Sequence, residues 1–241
     1  MINLFRKNEN TFAIICIVIY VVGFSVCDSL SKSIGMPYLF TCIFGAVMLA
    51  VLFGFVKKNG LMEYFGLCGL KKSGREMLWF IPVIIFTTTN LWTGVALNTT
   101  VAGTVFGIIT MIFVGFLEEI IFRGFLFRSM EKSNVTTAMI VSALTFGIGH
   151  ISNLLRGEEL GPTLLQIVYA SAIGFCFVLI FCISKSIVPC IISHGLFNSF
   201  SIIAGDRSVT MRFVIIAVII AFSLAYAFYL FNIYRRENKK A

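Results

Sequence analysis

Two acidic residues and an arginine sit where the sequence is otherwise apolar. Glu118, Glu119 and Arg123 lie inside a run from about residue 103 to 127. At the centre of a membrane-spanning helix each such charge costs about 2.5–3.5 kcal/mol on insertion scales, so each needs a partner or a task. Glu119 and Arg123 are four residues apart, share one helix face, and have the acid on the N-terminal side, the better order for an ion pair. Glu118 projects about 100° further round the helix and has no local partner. We read Glu119–Arg123 as a buried pair that holds a site, and Glu118 as the carboxylate free for chemistry. A purely architectural charge cluster between helices is the competing reading.

The only two histidines, His150 and His194, also fall in apolar segments. Phe146 shares a helix face with His150, and His194 with Asn198, each pair four residues apart. Glycine flanks both histidines, which allows close backbone approach or a small cavity. A positioned carboxylate can take a proton from water, and a nearby histidine can hold that water or protonate a leaving amine. A second histidine and an amide can donate to an oxyanion. No serine or cysteine has an obvious dedicated base, so water is the better nucleophile. One glutamate and two histidines would also make an acceptable catalytic zinc set. An HExxH helix is absent, however, and asparagine is an unusual ligand. Hydrolysis without a metal is therefore favoured, with zinc as the alternative, and no cofactor is expected.

These residues must be carried by membrane helices. Of 241 residues, 59% are hydrophobic and only 12% charged, about half the charged fraction of soluble domains; the mean hydropathy is +0.97. Long apolar runs, rather than ten-residue alternating segments, predict an all-α polytopic bundle. About eight transmembrane helices are expected, near residues 11–27, 37–56, 77–97, 103–127, 135–155, 162–184, 187–204 and 211–233, forming a single integral domain over 1–241. The first is taken as a retained helix rather than a signal peptide. Pro82 suggests a kink in the third, and Trp79 and Trp92 suggest interfacial anchors near its ends. Residues 61–67 are amphipathic and suit either the membrane interface or a plain loop.

The net charge of +8 does not indicate a nucleic-acid partner, because the basic residues lie in short loops and at the ends. They fall instead as topology signals. Fourteen Lys and Arg lie on the side of the termini; Lys32, Arg156, Arg207 and Arg212 lie on the other. This predicts both termini in the cytoplasm of a cell-membrane protein. The seven cysteines are odd in number and lack metal-ligand spacing, which suits small buried hydrophobes better than disulfides.

Glu118-Glu119-x-x-x-Arg123, Phe146-x-x-x-His150 and His194-x-x-x-Asn198, in that order on three separate spans, resemble the motif set of the CPBP intramembrane proteases. That family includes the CAAX prenyl endopeptidases and the bacterial Abi proteins linked to bacteriocin processing and self-immunity. The motif-bearing core covers about residues 103–204. The resemblance implies a glutamate-dependent endopeptidase cutting near the membrane surface. Glu118 would be the general base; His150, His194 and Asn198 would position water and stabilise the oxyanion; Glu119 and Arg123 would support them. The expected partners are the bilayer and a peptide or lipidated-peptide substrate, prenylated or a pheromone or bacteriocin precursor. A non-proteolytic immunity or scaffold protein is the alternative from another class, and a transporter is disfavoured by the absence of an internal repeat. Linear counting leaves one tension: His150 falls near the external end of its span and His194 near the cytoplasmic end of its own.

Overall fold

The computed structural model describes residues 1–70 and 75–238. Lys71, Lys72, Lys239 and Lys240, which enter the charge asymmetry, lie outside the described residues, as does the side chain of Arg75. The chain is a multi-pass helical bundle. A short α1 (Ile2–Lys7) leads into α2 (Glu9–Ser33) and α3 (Leu39–Lys58). Then come α4 (Ile81–Thr87), α5 (Val101–Glu118), a π-helical segment (Glu119–Phe127) and α6 (Arg128–Glu131). The last third holds α7 (Val135–Gly149), a 3₁₀ segment (His150–Arg156), α8 (Leu160–Ser184), α9 (Val188–Ile202) and α10 (Val209–Asn238). Among the described residues the only strand-like pairing is one bridge between Val95 and Ala204.

Side-chain caps start three of the helices that carry the site. Asn8 accepts from the Thr11 amide ahead of α2, Thr100 from Gly103 ahead of α5, and Asn134 from Thr137 ahead of α7. Each satisfies an amide that the first helical turn leaves orphaned. The helices pack with α5 against α9 and α3, α7 against α8, α8 against α10, and α2 against α3.

Six of the eight expected spans are helices long and apolar enough to cross a membrane: 9–33, 39–58, 101–131, 135–156, 160–184 and 209–238. The third and seventh are shorter than the hydropathy suggests, and each has a local cause. In the third, apolar helix persists only over Met77–Leu91. Thr87 and Thr88 hydroxyls bond back to the carbonyls of Val83 and Ile85, and a 3₁₀ turn and Gly94 at positive φ follow. Trp79 is buried in the protein rather than anchored at an interface, whereas Trp92 is exposed. The seventh, α9, has 15 residues and spans about 22 Å at 1.5 Å per residue. The carbonyls at its end are taken up by neighbouring chain: Asn98 Nδ2 donates to Ile202 O and Ala204 O, and Ala96 N to Ile203 O.

The start of α9 is also covered by protein. Residues 61–67 form neither an interfacial helix nor a free loop; they are tight turns whose Phe65 is fully buried. Gly66 has φ +72, and a Cβ there would stand 2.3 Å from the Phe181 ring, so glycine is required on two counts. Its carbonyl accepts from Ile187 N, and Cys68 O accepts from Ser186 Oγ. This turn therefore covers the N-terminus of α9. All seven cysteines are free.

Candidate active site

The first motif sits on a helix that changes its winding. α5 runs as an α-helix to Glu118, and Glu119–Phe127 continues with π-helical bonding, every one of those nine residues buried. Such wide turns recur at functional sites because they displace side chains from their α-helical register. Here Glu118 lies on the last α-helical position and Glu119 on the first π-helical one. Ser142 of α7 donates to the carbonyl of Phe122 within the wide turns, at 2.8 Å.

Glu119 and Arg123 form the expected pair, with Nη1 3.1 Å from Oε1 and both side chains fully buried. Arg123 Nη2 donates to Gly174 O at 3.2 Å, and its guanidinium lies 4.3 Å from the centre of the Phe146 ring. That ring also packs edge-on against His150 at 5.4 Å and His194 at 5.5 Å. Phe146 thus touches the arginine and both histidines, which fixes their relative positions by packing.

His194 bridges the two glutamates. Its Nδ1 lies 2.8 Å from Glu119 Oε1 and its Nε2 3.3 Å from Glu118 Oε2. Since Glu119 also serves Arg123, it is an acceptor, and His194 Nδ1–H donates to it. One shareable proton then lies between His194 Nε2 and Glu118. Glu118 has a second partner that the sequence does not reveal: Tyr20 of α2, whose hydroxyl donates to Oε1 at 2.7 Å across 98 residues. A hydroxyl in mid-span was the only available signal, because it needs a partner there.

The two glutamates differ in access. Glu119 is completely buried, whereas Glu118 keeps 9% of its surface and lines a cavity of about 240 Å³. His150, Asn198, Tyr20 and Phe146 line the same cavity. His194 stands behind Glu118, and with His150, Asn198 and Phe146 it borders a smaller adjoining space. His150 Nδ1 faces Phe146 O at 3.2 Å, leaving Nε2 as its second nitrogen. Asn153, Arg156 and Gln166 also line the cavity, and sequence reasoning did not single them out; Asn153 donates to Gln166, and Arg156 to Asn153. Among the described residues no three His, Cys, Asp or Glu side chains are arranged to hold one metal ion.

The packing of α5 on α9 brings His194 to the glutamates. Gly115, one turn before Glu118, meets Gly195 so closely that a Cβ on Gly115 would stand 2.5 Å from Gly195 N. The lidded, short α9 also resolves the tension from linear counting. Because α9 starts beneath the 61–68 turn, His194 comes level with Glu118 along the bundle, with Nε2 3.3 Å from Oε2.

No curated protein and no solved structure matches the chain. Residues 100–200 match the family model described as Rce1-like, type II CAAX prenyl endopeptidase. Tyr20 lies outside that stretch, while Glu118, Glu119, Arg123, Phe146, His150, His194 and Asn198 all lie inside it, so the part of the chain that is similar to the CAAX prenyl endopeptidase family is the part that carries the motifs.

Proposed function

We propose that this protein is an intramembrane endopeptidase in which Glu118 activates water to hydrolyse a peptide bond of a membrane-associated or precursor peptide, prenylated or not. The observation that carries the reading is the asymmetry of the two glutamates. Glu119 is sealed and paired with Arg123 and His194, while Glu118 reaches a cavity with its oxygens held by Tyr20 and His194.

In this mechanism a water beside Glu118 attacks the scissile carbonyl carbon as its proton passes to the carboxylate. The carbonyl π bond opens onto oxygen, and the Asn198 amide is the side-chain donor available to that oxyanion, while His150, whose Nδ1–H faces Phe146 O, offers Nε2 as an acceptor that holds the attacking water. Collapse breaks the C–N bond, and the proton on Glu118, shared with His194 Nε2, goes to the departing amine. The products are an acid and an amine, and Glu118 returns to its starting state. Glu119, Arg123 and Phe146 position His194 and take no proton.

The protein works without a cofactor in this reading. His194 Nδ1–H is committed to Glu119 and its Nε2 faces Glu118, so in this reading the imidazole serves the two carboxylates rather than a metal ion. The excess of Lys and Arg on the terminal side supports a cell-membrane protein with both termini in the cytoplasm. The test is a comparison of peptides from cells carrying wild type or Glu118→Gln. A precursor that accumulates uncut only with the variant, and is cut by purified wild type, is the expected result. Identical peptide profiles together with cleavage by the purified variant would refute the reading.

A further inference from the structure

The site is closed on one side and open on the other. Toward the termini, Phe5, Phe12, Phe55, Phe65 and Phe125 interlock beneath the π-helical segment, all buried. Phe125 packs edge-on against Phe12 at 5.0 Å and Phe65 at 4.9 Å, and Phe5 against Phe12 and Phe65 at 5.6 Å. Such a cluster excludes water and closes that side among the described residues.

The cavity runs the other way. Beyond Glu118 it is lined by Phe24 and Asp28 from the last turns of α2, Tyr38 before α3, Asn153 and Arg156 after α7, and Ser201 at the end of α9. These groups lie at the helix ends opposite the termini, and all but Phe24 are polar.

The basic segments assort by the same division. On the closed side, Lys132 Nζ and Tyr64 hydroxyl both donate to Glu9, at 2.7 and 3.0 Å, and Arg128 lies over the Phe181 ring. This joins the N-terminal segment, the 57–68 loop and the α6–α7 turn on one face. On the open side, Lys32 Nζ donates to the Arg156 carbonyl and pairs with Asp28. The face with the termini thus carries the excess of Lys and Arg, and the cavity opens on the face with four. Short-loop Lys and Arg stay in the cytoplasm.

We propose that the catalytic cavity is entered from the outer face of the membrane, so that the substrate is an exported peptide or an external segment of a membrane protein. That identification of substrate rests on the proteolytic reading above, but the route does not.

The test places single cysteines in the full-length protein and treats intact cells with a membrane-impermeant maleimide, locating the label by mass spectrometry so that the native cysteines remain. Glu158→Cys reports the rim beside Asn153, Ser133→Cys the opposite face, and Gln166→Cys and Ser201→Cys the cavity wall. Labelling of Glu158→Cys at least tenfold above Ser133→Cys is expected, with Ser133→Cys reacting fully only after permeabilisation. At least one of the two wall positions should also react from outside. Ser133→Cys labelled as much as or more than Glu158→Cys in intact cells would overturn the orientation. Failure of both wall positions from outside, with the rim labelled, would overturn the entry route. Labelling needs no cleavage, so an inactive protein would refute the enzymatic reading and leave this result standing.

Discussion

Replacing Gly115 with alanine should disconnect His194 from Glu118. The new Cβ would stand 2.5 Å from Gly195 N, 2.6 Å from Gly195 Cα and 3.2 Å from Ile191 O. These are backbone atoms of α9 and cannot swing aside as a side chain can. Non-bonded carbon contacts settle at about 3.5–4.0 Å, so α5 and α9 must separate by about 1 Å. His194 Nε2 already lies 3.3 Å from Glu118 Oε2, and that separation takes it to about 4 Å, beyond hydrogen-bond reach. A 1 Å misplacement of a catalytic group costs about 10²-fold in rate, and overpacking of this kind costs about 1–3 kcal/mol of stability. Gly195→Ala is the control, because its Cβ would meet nothing nearer than Ile112 Cα at 3.5 Å, an ordinary contact. The assay is thermal unfolding of both purified variants alongside their cleavage rates on the precursor found with Glu118→Gln. Wild-type rate and stability in Gly115→Ala, or a larger loss in Gly195→Ala, would refute the reasoning.

Arg123→Ala should lower thermal stability as well as activity, because breaking a buried pair costs about 3–5 kcal/mol; an unchanged Tm would contradict the pairing. Tyr20→Phe removes the hydrogen bond to Glu118 but keeps the ring, so activity should fall about tenfold or more at unchanged Tm, from about 1.5–3 kcal/mol for a bond to a charged group. A wild-type rate would remove Tyr20 from the site. On the terminal face, the hydrogen bonds to Glu9 and then Tyr64 hold the Lys132 ammonium above its ordinary value of 10.5. A raised value in the folded state stabilises below the unfolded value and is lost as pH rises through the folded one. The Tm difference between wild type and Lys132→Met should therefore be present at neutral pH and disappear only above about pH 10.5, which a pH series of melts will check.

The sequence displays what is local. Glu119 and Arg123 pair because their spacing suits one helix face, and that holds even though the helix is π-wound, since four residues still return nearly to the same face. The apolar runs mark the six long helices closely, and the histidines and Asn198 stand out because polar groups are scarce there. What the sequence hides is set by contacts between distant segments. Tyr20 binds Glu118 across 98 residues, and nothing beside Tyr20 in α2 announces it. The length of α9 depends on the 61–68 turn that covers its start and on Asn98 at its end. Gly115 matters because Gly195 lies against it, a fact of helix packing that neither neighbourhood carries alone. The π-helical segment, likewise, has no composition that separates it from an apolar α-helix.

The most direct measurement of the central claim is the single-turnover cleavage rate of purified Glu118→Gln on that precursor, with peptide affinity and Tm measured on the same preparation. Glutamine keeps the shape and hydrogen bonding of glutamate but does not take a proton from water. The account predicts a rate loss of about 10²–10⁴-fold, the usual contribution of a general base, with affinity and Tm unchanged. Cleavage by Glu118→Gln at the wild-type rate would contradict it.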